Sequence, residues 1–235
     1  MKSQRVAFII PAYNESSAIG DVILDLKKKA SQKKIDFEIV VVDDGSKDDT
    51  ARVAEKSGAT VIRHILNTGS GGATATGLSY AQQNSFDLAI TLDADGQHSS
   101  DDVVNGIDVA NKSKTDLLIG SRLLDSQGMS RVKVLGNKGL SFITYVIFGI
   151  NATDSQSGLR VFSRKALEQL RWKTSGFEFC SEMLWRAKQI GLKIDEYPIK
   201  AIYTDYSKSK GQNNWNAFNI IKSLVKRRVV EVFGE

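Results

Sequence analysis

The run Asp87-Leu88-Ala89-Ile90-Thr91-Leu92-Asp93-Ala94-Asp95-Gly96-Gln97 decides how this chain folds. Its first six residues read as a buried strand. The strand stops at two carboxylates one residue apart. Both cannot be buried there without a cation, because unpaired burial costs several kcal/mol or forces protonation. Mg²⁺ and Mn²⁺ favour such oxygen ligands and commonly share them with substrate phosphates, and Gln97 adds an amide oxygen. The competing reading is an exposed acidic turn.

Working outward, residues 5–10 (RVAFII, ended by Pro11), 37–42 (FEIVVV), 59–63 and 116–120 (DLLIG) read as further strands. Helices are expected between them. One carries Ile19, Val22, Ile23 and Leu26 at helical spacing, with Ser16 or Ser17 as its cap. Another covers 48–57, with Asp48 or Ser46 suited to cap it. Two more cover 73–83 and 101–112. Strand and helix alternate, with connections too long for hairpins, so the first 120 residues predict a parallel, doubly wound sheet. Ligands bind such sheets beyond the carboxyl ends of the strands. Three of those ends carry polar turns: Pro11–Glu15, Asp43–Ser46 and Asp93–Gln97.

The second half is less regular. Residues 140–150 (LSFITYVIFGI) are apolar but too short to span a bilayer, with Lys133 and Lys138 just upstream. They read as a buried helix or as one lying in the headgroup region. A strand and a helix are expected over 160–170, a helix over 177–190, a strand over 193–203 and a last helix over 215–230. That helix sets Trp215, Phe218, Ile221, Leu224 and Val225 on one side and brings in Lys222, Lys226, Arg227 and Arg228.

Composition narrows the classes. With 235 residues, 41% hydrophobic and 25% charged, the chain is globular rather than disordered or collagen-like. A single cysteine, Cys180, excludes an internal disulfide framework and a multi-cysteine zinc site, and two histidines exclude a His-rich one. The N-terminal apolar run stops at Pro11 without a cleavage pattern, so no signal peptide is expected, and the expected compartment is the cytosol. The net charge of +5 is concentrated at the end: from Lys200 onward there are seven Lys/Arg against three Asp/Glu. A basic end suggests an anionic partner, either phosphate, membrane or nucleic acid.

Two further turns carry chemistry. In Asp43-Asp44-Gly45-Ser46 a carboxylate can accept from a nucleobase imino N–H or from ribose hydroxyls. The turn Asn67–Gly72 can let backbone approach a ligand closely, though it is neither a Walker loop nor Gly-x-Gly-x-x-Gly.

Taken together, Pro11-Ala12-Tyr13-Asn14-Glu15, Val42-Asp43-Asp44-Gly45-Ser46, Asn67-x-Gly69-x-Gly71 and Asp93-Ala94-Asp95-Gly96-Gln97 resemble the family 2 glycosyltransferases of the GT-A fold in order and spacing. Gly120-Ser121-Arg122, Asp154–Arg160, Gly176–Phe179 with Glu182-Met183-Leu184, and Ser207–Lys210 are similar to the branch of dolichyl-phosphate mannose synthases and bacterial polyprenyl-phosphate hexose synthases. The resemblance implies an α/β GT-A (nucleotide-diphospho-sugar transferase) fold with a mostly parallel central sheet flanked by helices. It implies one domain over 1–235, with a nucleotide-sugar-binding half (1–120) and an acceptor-binding half (121–235) that ends in a basic amphipathic helix.

It also implies roles. Pro11, Tyr13 and Glu15 line the nucleotide pocket, with Gly71 and Ala94 beside them, and Asp43 or Asp44 reads the base. Asp95 and Gln97 hold Mg²⁺ or Mn²⁺ on the donor diphosphate, and Asp93 contacts the metal shell or the donor sugar. Arg122 and Arg131 receive the acceptor phosphate, and Ser209 and Lys210 close over the diphosphate. An acceptor phosphate is already an anion, so it needs orienting cations and no general base. In-line attack inverts the anomeric centre. The chain departs from the family at Thr68 and Ser70, where a basic residue is common, so a cation on the donor phosphates comes from elsewhere, such as Arg63. Many relatives continue into transmembrane helices, and no apolar stretch of that length occurs here. The implied enzyme moves a hexose from a nucleotide-diphospho-sugar, UDP favoured over GDP, to polyprenyl phosphate for cell wall polysaccharide. It does so as a peripheral protein on the cytoplasmic membrane face, docked directly or by a small membrane-anchoring protein.

Two other readings compete. Transfer to a lipid-linked saccharide hydroxyl keeps the donor chemistry but needs a base, for which Asp154 and Glu182 are the candidates. A nucleic-acid-binding role for the basic end lacks the interleaved aromatics of a stacking platform, so no nucleic acid is expected as partner.

Overall fold

The computed structural model describes residues 4–126 and 129–202. In chain order the elements are β1 (Arg5–Ala12), α1 (Ile19–Gln32), β2 (Asp36–Asp43), α2 (Thr50–Lys56), β3 (Thr60–Arg63), α3 (Ser70–Gln83), β4 (Leu88–Thr91), α4 (Ser100–Ser113), β5 (Leu117–Ser121), α5 (Arg131–Phe148), β6 (Arg160–Ser163), α6 (Arg164–Gln169), α7 (Phe179–Gln189) and β7 (Ile194–Pro198). They build a seven-stranded sheet in the order β3-β2-β1-β4-β6-β5-β7. All pairings are parallel except those of β6, which runs antiparallel to both β4 and β5.

The central strands are apolar throughout because helices cover both faces. In β1, Val6, Phe8 and Ile10 join the core under α1, α2 and α4. Ala7 and Ile9 join the other core, with α3, α5, α6 and α7. The chain leaves β1 toward β2 and β3, then crosses back to β4 on the other side. The connections therefore diverge at the carboxyl ends of β1 and β4 and open a crevice there. The reversed β6 matters for the same reason. It begins where β4 ends, with Arg160 opposite Thr91 in the ladder, so the Asp154–Gly158 loop reaches the same end of the sheet.

Local detail corrects some expectations. Neither Ser16 nor Ser17 caps α1. Ala18 holds the N-cap position with no side-chain bond, and the Glu15 carbonyl accepts from Ala18 N and Ile19 N, both at 3.0 Å. Ser46 does not cap α2, because its hydroxyl accepts from Asn14 N instead, while Asp48 Oδ1 does accept from Thr50 N. Helix α3 begins at Ser70 rather than 73. Helix α5 begins at Arg131, well before the apolar run that announced it. β7 ends at Pro198, with only an isolated bridge between His98 and Ala201 beyond it. The expected 215–230 helix and the Tyr203–Asn214 loop, including Ser209 and Lys210, lie outside the described residues.

Candidate functional site

The turns after β1 and β2 are tied together by side chains. Asn14 takes a left-handed conformation (φ 55°), donates N–H to Ser46 Oγ at 2.9 Å and accepts Lys47 N–H on Oδ1 at 2.8 Å. Glu15 N–H reaches Thr50 Oγ1 at 2.8 Å, and Ser16 N–H reaches Asp48 Oδ2 at 3.1 Å. Pro11 pairs with Val42 inside the sheet, while the Tyr13 ring stands exposed.

Asp43 and Asp44 are neighbours with different employment. Asp44 is subscribed on both oxygens. Oδ1 accepts from His64 Nδ1 at 2.7 Å, Thr68 N at 2.9 Å and Thr68 Oγ1 at 2.8 Å, and Oδ2 accepts from Gly69 N at 2.8 Å. Burial pushes its carboxyl up, but these donors outweigh burial and hold it below the usual range. Asp43 is fully buried, and its Oδ1 accepts Ser46 N–H at 3.0 Å. Its Oδ2 lies 3.2 Å from Arg63 Nε but has no hydrogen-bond partner among the described residues. Beside it an open cleft of about 320 Å³ is lined by Gly45, Ser46, Arg63, His64 and Ile65. Arg63, considered as a cation for the donor phosphates, sits at this base-sized cleft and donates to Ser46 O at 3.2 Å.

The glycine-rich turn admits protein where the sequence suggested a ligand. At Gly69 (φ 87°), where L side chains are strained, an added Cβ would also overlap Ser175 O. Gly71 N donates to Ser175 O at 2.8 Å, and Trp172 Nε1 donates to Gly71 O at 3.2 Å. Glu182, buried, secures that crossing segment by accepting Lys173 N at 3.2 Å and Thr174 N at 2.9 Å. The smallness of these residues serves chain packing.

The tip of β4 carries the opposite electrostatic character. Asp93 Oδ2 accepts from His98 Nε2 at 2.9 Å, and Asp95 Oδ1 accepts Gln97 N–H at 3.0 Å. Ala94 is buried between them. The Asp93 side chain is half exposed; partial desolvation raises its carboxyl, but the His98 hydrogen bond and the charges of His98, Arg122 and Arg160 outweigh that and hold Asp93 low. Asp95 is pushed up, by burial first and then by the charge of Asp93, with Glu15 adding to it. Among the described residues no three His, Cys, Asp or Glu side chains form a complete metal cage. A carboxylate crowded by two others at a strand tip, without a cage of its own, fits a hard divalent cation that takes its remaining oxygens from substrate phosphates. Mg²⁺ and Mn²⁺ answer that description. Sequence reasoning passed over His98 and His64, counting histidines only to exclude a zinc site. The position of His98 directly after Gln97 was the available signal.

On the other wall Arg122 meets Asp154 face to face. Nε donates to Oδ2 at 2.7 Å, Nη2 to Oδ1 at 2.9 Å, and the Arg122 backbone N–H adds a bond to Oδ2 at 3.1 Å. Asp154 is fully buried. Arg131 is exposed at the first turn of α5, separated from Arg122 by a segment whose residues 127–128 lie outside the described chain. Val132, Leu135, Phe142, Tyr145 and Val146 are exposed along that helix, whereas Ser141, Thr144 and Phe148 face the protein. Among the described residues no helix is long and apolar enough to cross a membrane.

Comparison with known proteins gives four consistent findings. The profile described as "Glycosyl transferase family 2" matches residues 7–171. An uncharacterized protein of Methanocaldococcus jannaschii is 42% identical over 234 residues, covering 97% of this chain and 94% of its own. The UDP-N-acetylglucosamine–dolichyl-phosphate N-acetylglucosaminyltransferase of Methanococcus voltae is 39% identical over 256 residues, covering 99% of both chains. Among solved structures, glucosyl-3-phosphoglycerate synthase of Mycobacterium tuberculosis, crystallised with Mn²⁺, UDP and phosphoglyceric acid, has a TM-score of 0.72 at 18% identity, covering 97% of this chain and 78% of that one.

Proposed function

The chain belongs to glycosyl transferase family 2 and has the GT-A fold, and from that premise we propose that it transfers a sugar from a UDP-sugar to the phosphate of a polyprenyl phosphate, with inversion. One observation carries the choice of acceptor. Both carboxylates that a hydroxyl acceptor would need as base are spent: Asp154 on Arg122, and Glu182 on two backbone N–H groups. A phosphate acceptor brings its own negative charge and needs neither. That is also the acceptor in the name of the M. voltae relative.

The donor assignment rests on Asp43. Its Oδ1 is occupied by Ser46 N–H, which leaves one buried oxygen for a base. Uracil offers a single imino N–H between two carbonyls and suits one acceptor. Guanine offers two adjacent donors and would call for both oxygens. In this reading Pro11, Tyr13 and Glu15 border the nucleoside, and Gly71 and Asp44 serve the pocket by shaping it rather than by touching the nucleotide. Asp95 and Gln97 hold the divalent cation, Asp93 faces the donor sugar, and Ala94 spaces the two carboxylates. When bound, the cation neutralises charge that builds on the departing diphosphate. Ser209 and Lys210, outside the described residues, are assigned to the same diphosphate from the family resemblance alone. Arg122 and Arg131 orient the acceptor phosphate for attack on the sugar carbon from the face opposite the leaving group. The first 120 residues thus serve the donor, and the remainder serves the acceptor.

The outer face of α5 and the basic stretch after Lys200 bring the site to the cytoplasmic face of the membrane, where the acceptor lipid resides. A basic residue beside an anionic surface contributes roughly 1 kcal/mol.

The test is a transfer assay with radiolabelled UDP-N-acetylglucosamine and Mn²⁺, resolved by thin-layer chromatography. Labelled product is expected with polyprenyl phosphate and none with its glycosylated form. The reverse pattern would mean that a hydroxyl is the acceptor.

A further inference from the structure

Arg160, the first residue of β6, is the largest fully enclosed side chain among the described residues, only 1% exposed. All of its hydrogen-bond partners among the described residues are neutral. Nε donates to Ser157 O at 3.0 Å and Nη2 to Ser155 O at 2.8 Å, while Nη1 reaches Cys180 O at 3.2 Å and Met183 Sδ at 2.9 Å. No carboxylate forms an ion pair with it among the described residues. A buried cation with no carboxylate within ion-pair distance is costly. Something other than stability accounts for an arginine here.

Its surroundings supply the reason. An anionic acceptor must approach a site that already holds Asp93, Asp95 and Glu15. The obvious receptor, Arg122, is balanced by Asp154 in a two-pronged ion pair at 2.7 and 2.9 Å. Arg160 lies directly behind this wall. It stands opposite Thr91 in the ladder, and Thr91 Oγ1 donates to Gly158 O at 2.8 Å. The Gly158 backbone presses on Asp93 so closely that an added Cβ would overlap the carboxylate. Two of the three carbonyls that Arg160 gathers, Ser155 O and Ser157 O, belong to the same Asp154–Gly158 loop that supplies the partner of Arg122, and the third, Cys180 O, belongs to α7.

We infer that Arg160 is a positioning residue for the acceptor: its enclosed charge helps draw the lipid phosphate toward the Arg122 wall, and its bonds hold the loop that carries the partner of Arg122. The inference rests on the proposed phosphate acceptor.

The experiment measures binding of geranylgeranyl phosphate and of uncharged geranylgeraniol to the whole chain, for the native protein, R160K and R160Q. The readout is the preference for phosphate over alcohol, which a general loosening of the fold would not change. R160Q is expected to lose about tenfold of that preference, and R160K, which keeps the charge, to stay within about threefold of native. UDP affinity with Mn²⁺ stays unchanged in both. Native protein with no preference for the phosphate would remove the proposed function and this assignment together. A clear native preference that R160Q leaves intact, or that R160K loses equally, overturns the assignment alone. If R160Q does not fold, R160K decides: a preserved preference supports the charge, and a lost one refutes it.

Discussion

The two walls of the crevice treat charge in opposite ways. On the donor wall, the turns after β1 and β2 are sewn to one another, Asn14 to Ser46, Glu15 to Thr50 and Asp44 to Thr68 and Gly69. Yet the tip of β4 is left with Asp95 crowded by Asp93 and Glu15. On the acceptor wall the carboxylates Asp154 and Glu182 are satisfied, and a buried cation, Arg160, is held by neutral groups. Under the proposed function the site receives two anions and uses a different device for each: the donor, arriving with a divalent ion, meets carboxylates, and the acceptor, arriving without one, meets arginines. The contrast also orders the elements in sequence: short parallel βα units build the first wall, and the reversed strand β6 builds the second.

The sharpest way to break this contrast is D95N. The substitution keeps size and removes the charge that would hold the ion, so turnover is expected to fall by about 10³-fold, the scale of losing one strong electrostatic contact to the leaving group. Thermal stability is expected to hold or rise, because a carboxylate repelled by two neighbours is relieved. Full turnover by D95N in the presence of a chelator would show that the β4 tip does not handle the donor through a cation.

How much of this was readable beforehand follows the same division. The donor wall was legible because a parallel βα unit is a local device: an apolar run, then a polar turn, then a helical repeat. Pro11–Glu15, Asp43–Ser46 and Asp93–Gln97 each declared a strand end by themselves. What stayed hidden there was the choice between Asp43 and Asp44. Adjacent identical residues differ only in partners supplied from residues 64–69. The glycine turn misled for a related reason, since smallness looks the same whether a ligand or Ser175 fills the space. The acceptor wall was poorly legible. The direction of β6 depends on sheet pairing, and Arg160 reads as an ordinary charged residue until its burial is known. Arg122 is expected from the sequence to receive the acceptor phosphate, but its pairing with Asp154, 32 residues away, is visible only in the structure.

The outside of the acceptor wall offers a second comparison. No residue from Arg131 to Leu140 is buried, and the exposed Val132, Leu135, Phe142 and Val146 recur at helical spacing. If this face enters the headgroup region, F142E/V146E should weaken co-sedimentation with anionic vesicles by at least about tenfold, since each apolar side chain withdrawn from water contributes about 1.5 kcal/mol or more. Transfer to a water-soluble short-chain phosphate should be unchanged. Vesicle binding that survives the double substitution would assign attachment to the basic end instead.

The smallest effect tests the sewing of the donor wall itself. Asp48 accepts from Ser16 N and from both the N–H and the hydroxyl of Thr50. Burial pushes its carboxyl up, but the bonds from Thr50 and Ser16 prevail and hold its pKa at about 2, against 3.8 for an ordinary aspartate. A carboxyl whose pKa is depressed by folding stabilises the protein fully above about pH 4 and loses that contribution as the pH falls toward 2. Because the side chain is exposed, solvent screening limits the contribution to about 1 kcal/mol, or a Tm difference of about 2 °C for a chain of this size. D48N should therefore melt slightly below the native protein at pH 7, and the gap should shrink by about half at pH 3. A gap that is the same at both values would mean that the turn gains from the shape of Asp48 and not from its charge. The β1 and β2 turns would then be joined by neutral bonds alone, leaving the β4 tip as the only electrostatic feature of that wall.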